Sequence, residues 1–111
     1  MKTLAPLLAL LLCTLATASF AADEGSAAVQ AIGRLNGIAL ACQQPALVSR
    51  ARNAVITSAP KTRDVGEMFE AATNAAYLEQ GKGAACPDVS ALNSNLAAAE
   101  KRLRAAFASK P

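Results

Sequence analysis

Alanine occupies 23 of the 90 positions from Ala22 to Pro111, and that habit narrows the folds open to the chain. Alanine is the strongest helix former, because it has no side-chain entropy to lose on folding. The same stretch holds one tyrosine and no tryptophan. Its valines, isoleucines and threonines are too thinly spread to build the pleated, half-buried surface of a sheet. The expected fold is all-α, a small bundle of about four helices.

Proline and glycine mark where those helices stop. The first is expected from about Gly25 to Ala41, with Val29, Ile32, Leu35, Ala39 and Cys42 on one apolar stripe. Gln43-Gln44-Pro45 ends it, since the residue before proline is pushed out of α geometry. Pro45 suits the first position of a second helix running to about Ser58, with Leu47, Ala51, Ala54 and Val55 inward. Ala59-Pro60 closes that helix. Thr62 is the expected N-cap of the third, with Asp64 an acid in its first turn. The third helix's apolar face is Val65, Met68, Phe69, Ala72, Ala75 and Ala76, and Gly81-Lys82-Gly83 stops it. The fourth follows Cys86-Pro87-Asp88 on the clearest stripe in the chain: Val89, Leu92, Leu96, Ala99, Leu103 and Ala106. Lys101, Arg102 and Arg104 crowd its C-terminal end, where the helix dipole favours cations. Short connections predict antiparallel neighbours.

The N-terminus reads differently. Lys2 is the only charge before Asp23, and a leucine-rich run from Leu4 to Leu15 gives way to the small residues Ala16 to Ala21. Ser19 and Ala21 occupy the −3 and −1 places of a signal-peptidase site. Residues 1–21 are therefore read as a cleavable secretory signal, and 22–111 as one helical domain. A retained anchor would need about 20 strongly apolar residues, and Thr14, Thr17 and Ser19 dilute the run. Cys13 lies within the leucine-rich part and leaves with it. The expected destination is the periplasm or the exterior, with no stable membrane association after cleavage.

Cys42 and Cys86 then remain, in a compartment where disulfides persist. They can pair within the chain, link two chains, or stay as buried thiols. The internal bond is the reading taken. Closing so long a loop stabilises by about 4 kcal/mol in the chain-entropy model, which matters in a domain whose alanines bury little area.

Chemistry is constrained by absence. The chain has no histidine, which excludes Ser-His-Asp and Cys-His catalysis, histidine metal sites and C-x-x-C-H haem attachment. The cysteines form no C-x-x-C pair, and no glycine-rich phosphate loop occurs. The chain is read as non-enzymatic, with no cofactor and no metal. After the leader, ten Lys/Arg face eight Asp/Glu, a net of +2 and too little to imply nucleic acid.

Three features stand out as candidate interaction residues. Arg50, Arg52, Lys61 and Arg63 form a basic group around the turn between the second and third helices. Glu70, Thr73, Asn74 and Tyr77 share one face of the third helix at i, i+3, i+4, i+7, and tyrosine is enriched at binding hot spots. Gly33, Asn36 and Gly37 of the first helix are the third feature, and the two glycines, one turn apart, would let another backbone approach closely on that face. The third or fourth helix of the same chain is the expected neighbour, a second protomer the alternative.

The segments Leu35-Asn-Gly-Ile-Ala-Leu-Ala-Cys42 and Thr62-Arg-Asp-Val-Gly-Glu-Met-Phe-Glu-Ala-Ala-Thr-Asn74 resemble small exported helical proteins of proteobacteria. In size, helical content and wide cysteine spacing the chain is similar to acid-activated periplasmic chaperones of the HdeA type. In the same respects it looks like type VI secretion immunity proteins of the Tai4/Rap1a kind. These resemblances imply a disulfide-bonded helical periplasmic protein and bring no site residues. The leading expectation is a protein that binds another protein, an immunity-type inhibitor being one form. The alternative is a stress chaperone, and a third is a carrier of a small molecule or lipid.

Overall fold

A computed structural model describes residues 24–108, and these contain four helices and no strand. The expected signal, 1–21, lies outside the described residues. The first helix, α1, occupies residues 24–41. It is followed by α2 (Pro45–Ser58), α3 (Arg63–Gln80) and α4 (Val89–Phe107).

Local chemistry explains the boundaries. Gln43 adopts a left-handed φ of 57°. Behind it, the Gln44 amide donates to the Ala39 carbonyl at 2.8 Å and the Gln43 amide to that of Leu40 at 3.3 Å. This is the six-to-one and five-to-two pairing of a Schellman stop. The Gln44 carbonyl then accepts from the amides of Leu47 and Val48, so one residue ends α1 and caps α2. Pro45 sits at the start of α2, where its missing N–H costs nothing. At α3 the Val65 amide donates to Thr62 Oγ1 at 3.3 Å, the expected cap. The helix ends at Gly81, and Gly83 takes a φ of 103°.

The packing follows from three sets of contacts. Gly33 faces Phe69 and Ala72, while Gly37 faces Thr73, Ala76 and Tyr77, so α1 and α3 run parallel and very close. Arg50 reaches both Asn93 and Glu100, placing α2 against α4. Glu24 meets Arg102 at one end of α1, and Cys42 is bonded to Cys86 at the other, so α4 runs antiparallel to α1. The order is up, down, up, down.

The core is built mainly on α1 and α4: Ala28, Val29, Ile32 and Ala39 meet Leu92, Leu96, Ala99 and Leu103, with Leu47 and Ala51 from α2. Phe69 is the one large side chain that α3 buries. The disulfide is intramolecular, its Cα atoms 5.8 Å apart, and it closes a separation of 44 residues.

Several expected inward positions are less buried than the stripes predict. Val89 is exposed, as is the whole stretch 81–90, and the core begins on α4 at Leu92. Ala75 is exposed, and Val65, Met68 and Ala72 are only half-buried. The glycine contact sets α1 against Phe69, Ala72, Thr73 and Ala76 of α3, while Val65 and Met68 pack at the edge of the core and Ala75 lies beyond it. Cys42 is half-buried at the helix end rather than deep in the stripe.

Candidate functional site

The basic group is divided by the fold. Arg50 makes a forked pair with Glu100, Nε to Oε2 at 2.9 Å and Nη2 to Oε1 at 2.8 Å. A further bond runs from Nη1 to Asn93 Oδ1. The hydrogen bonds to Glu100, then its charge, hold the Arg50 pKa above its ordinary value against the opposing effect of burial. Arg50 is thus a clamp between α2 and α4 and not part of a free basic knuckle. Arg52, one face round, meets Glu70 at 3.6 Å across the α2–α3 boundary. Lys61 and Arg63 flank the Thr62 cap and are exposed.

The stripe on α3 is divided too. Thr73 is 5 % exposed and belongs to the interior, which corrects its expected place on a partner surface. Its hydroxyl lies 2.8 Å from the Phe69 carbonyl and 3.1 Å from that of Gly33, and it accepts from Asn36 Nδ2 at 3.1 Å. Polar atoms this deep require such partners. The close approach at Gly33 and Gly37 is what brings Asn36 and Thr73 into range. Asn36 Oδ1 finds no donor among the described residues.

Glu70, Asn74 and Tyr77 remain on the surface, and Tyr77 is 47 % exposed. Since α1 and α3 are parallel, moving one turn on from the Asn36–Thr73 pair places Leu40 beside Tyr77. Both are exposed apolar bodies. One turn on from Arg52 along α2 lies Ile56, 59 % exposed. Along the two antiparallel helices, Ile56 lies on the α2–α3 turn side of the Arg52–Glu70 pair, and Asn74 and Tyr77 lie on the other side, toward the end of α1 that carries Leu40. The sequence reading found the charges, the amide and the tyrosine. It missed Leu40 and Ile56, whose signal was an apolar residue lying off the inward stripe of its helix.

A second feature lies on the other side of the α1–α3 contact. A groove of about 560 Å³ runs between the two helices, floored by Ile38, Met68, Ala72 and Ala76. Gln30 and Arg34 stand on its α1 wall and Glu79 and Gln80 at its far end. Arg34 has no ion pair among the described residues. The groove opens onto the outer arc of α3, where Ala71, Ala75 and Leu78 are exposed.

Among the described residues no group of three His, Cys, Asp or Glu side chains is placed to hold a metal ion. Among the same residues, no helix is long and apolar enough to cross a membrane. No family model, curated protein or solved structure matches the chain.

Proposed function

We propose that this chain is an exported, non-catalytic protein that binds another protein through the face made by α2, α3 and the end of α1. The observation that carries the reading is that Ile56, Tyr77 and Leu40 are exposed on α2, α3 and the end of α1, the first two helices being joined by the exposed Arg52–Glu70 pair. Large apolar residues half-open to solvent around an aromatic and an ion pair have the make-up of an interface core with a polar rim. The disulfide supports an oxidising destination, the periplasm or beyond, reached through the leader over 1–21. An inhibitor of the immunity type is one form this binder would take.

The test is capture by the oxidised protein from a periplasmic extract, run beside Tyr77→Ala and Arg52→Glu. A stoichiometric protein partner whose retention falls at least tenfold with Tyr77→Ala supports the reading. Empty captures, or a partner indifferent to both substitutions, sink it.

The way α3 is held favours a second reading, the stress chaperone. This helix has one large buried side chain, Phe69, and its other deep contact is the incompletely satisfied Asn36–Thr73 pair. Its release would uncover the α1 face. Suppression of a client's aggregation at acid or neutral pH, with and without reductant, separates this reading from the first.

A further inference from the structure

We propose that the groove and the outer arc of α3 take a second copy of the same chain, paired antiparallel through α3. This goes beyond the partner face, which lies about a quarter-turn away around the helix.

The argument starts from spacing. Met68, Ala71, Ala75 and Leu78 recur at three and four residues, the seam of a helix–helix pair. None of the four is buried, and Leu78 is 56 % exposed. α1 covers a neighbouring stripe of α3; Met68 packs at the edge of the core, while Ala71, Ala75 and Leu78 are exposed.

The seam is also self-complementary, as a two-fold interface demands. Turn a second α3 antiparallel with the axis at the level of residue 73. Met68 then faces Leu78 of the copy, and Ala71 faces its Ala75. Large residues meet at both ends and small ones at the centre, where two backbones come closest.

Charge follows the same register. Glu79 of the copy arrives on the groove side, near the start of α3. Helical side chains lean toward their own N-termini, so Arg34 and that Glu79 lean toward each other. Arg34, which has no ion pair among the described residues, meets a Glu79 whose own pair, with Lys82 at 3.8 Å, is exposed. A single axis thus satisfies two apolar pairs and one ion pair.

Sedimentation equilibrium on the oxidised protein, from micromolar to millimolar, reads the outcome. A monomer–dimer equilibrium is expected. Ala75→Arg places a charge at the centre of the seam on an exposed position, so it should leave the helical spectrum intact and weaken the dimer at least tenfold. Arg34→Glu and Glu79→Arg should each weaken it, and the double swap should recover most of the loss. A monomer throughout, or a dimer indifferent to Ala75→Arg, overturns the proposal. A monomer that carries an acyl or other small ligand in native mass spectra also overturns it and gives the groove to that ligand.

Discussion

Replacing Gly37 by alanine adds one methyl group where α1 and α3 lie closest. A Cβ there would stand 2.8 Å from the Cβ of Ala76 and 2.9 Å from the amide nitrogen of Tyr77, and would press on the Thr73 carbonyl. Carbon atoms at ordinary contact are about 3.5–4.0 Å apart. The obstacles are backbone and an alanine stub, which cannot rotate away, so the helices must separate by the better part of an ångström. Overpacking of this kind costs about 1–3 kcal/mol. Alanine returns up to about 1 kcal/mol through its better helix propensity. A net loss of about 1 kcal/mol is expected, which lowers the melting temperature by roughly 4–8 °C in a domain this small. Gly66 is the control, because nothing lies within 4 Å of its added Cβ. There the propensity gain stands alone, and Gly66→Ala should stabilise by about 0.5–1 kcal/mol. Urea unfolding followed by circular dichroism, with the disulfide intact, measures both. If Gly37→Ala matched or exceeded the wild type while Gly66→Ala gained as expected, α1 and α3 would not be in glycine contact, and the burial of Thr73 would lose its explanation.

Three further expectations follow from the same geometry. Removing both cysteines as Cys42→Ser/Cys86→Ser should cost about 4 kcal/mol for a loop of this length, read as a fall in urea midpoint. Loss of less than about 1 kcal/mol would mean that the unfolded chain is already constrained. Gln43→Gly relieves a left-handed non-glycine residue and should raise stability by about 0.5–1 kcal/mol by thermal melting, and a loss would contradict the Schellman stop. Glu100→Ala should cost about 1 kcal/mol by breaking the forked pair between α2 and α4. Because the folded pKa of Arg50 is raised, the clamp's contribution is complete below the ordinary arginine pKa and is lost only in strong alkali. With no histidine in the chain, the melting temperature should be level between about pH 6 and 8, and a step there would refute the assignment.

The helix ends were legible because their causes are local. Pro45, the Thr62 hydroxyl and Gly81 act on neighbours within a few residues, and each stands where its chemistry placed it. The long inward stripe of α4 was equally readable, since Leu92, Leu96, Ala99 and Leu103 have no plausible place but a core. The candidate surface was only half legible. Glu70, Thr73, Asn74 and Tyr77 look alike in spacing, yet Thr73 is interior. Its fate depends on an asparagine 37 residues away being brought within 3.1 Å. Arg50 looked like its basic neighbours until Glu100, 50 residues on, proved to be its partner.

Composition and spacing, then, decided that the chain is helical, where each helix begins and stops, and which two cysteines were available to pair. Tertiary structure decided that they do pair within the chain and which arc of each helix is covered. Helical periodicity tells which residues share a face. It cannot tell how wide a face the neighbour will hide, because that depends on how closely two backbones approach. In this chain Gly33 and Gly37 set that distance. They set the contact on α3 at Phe69, Ala72, Thr73 and Ala76, draw a threonine inside, and leave Met68 at the edge of the core and Ala75 and Leu78 facing out.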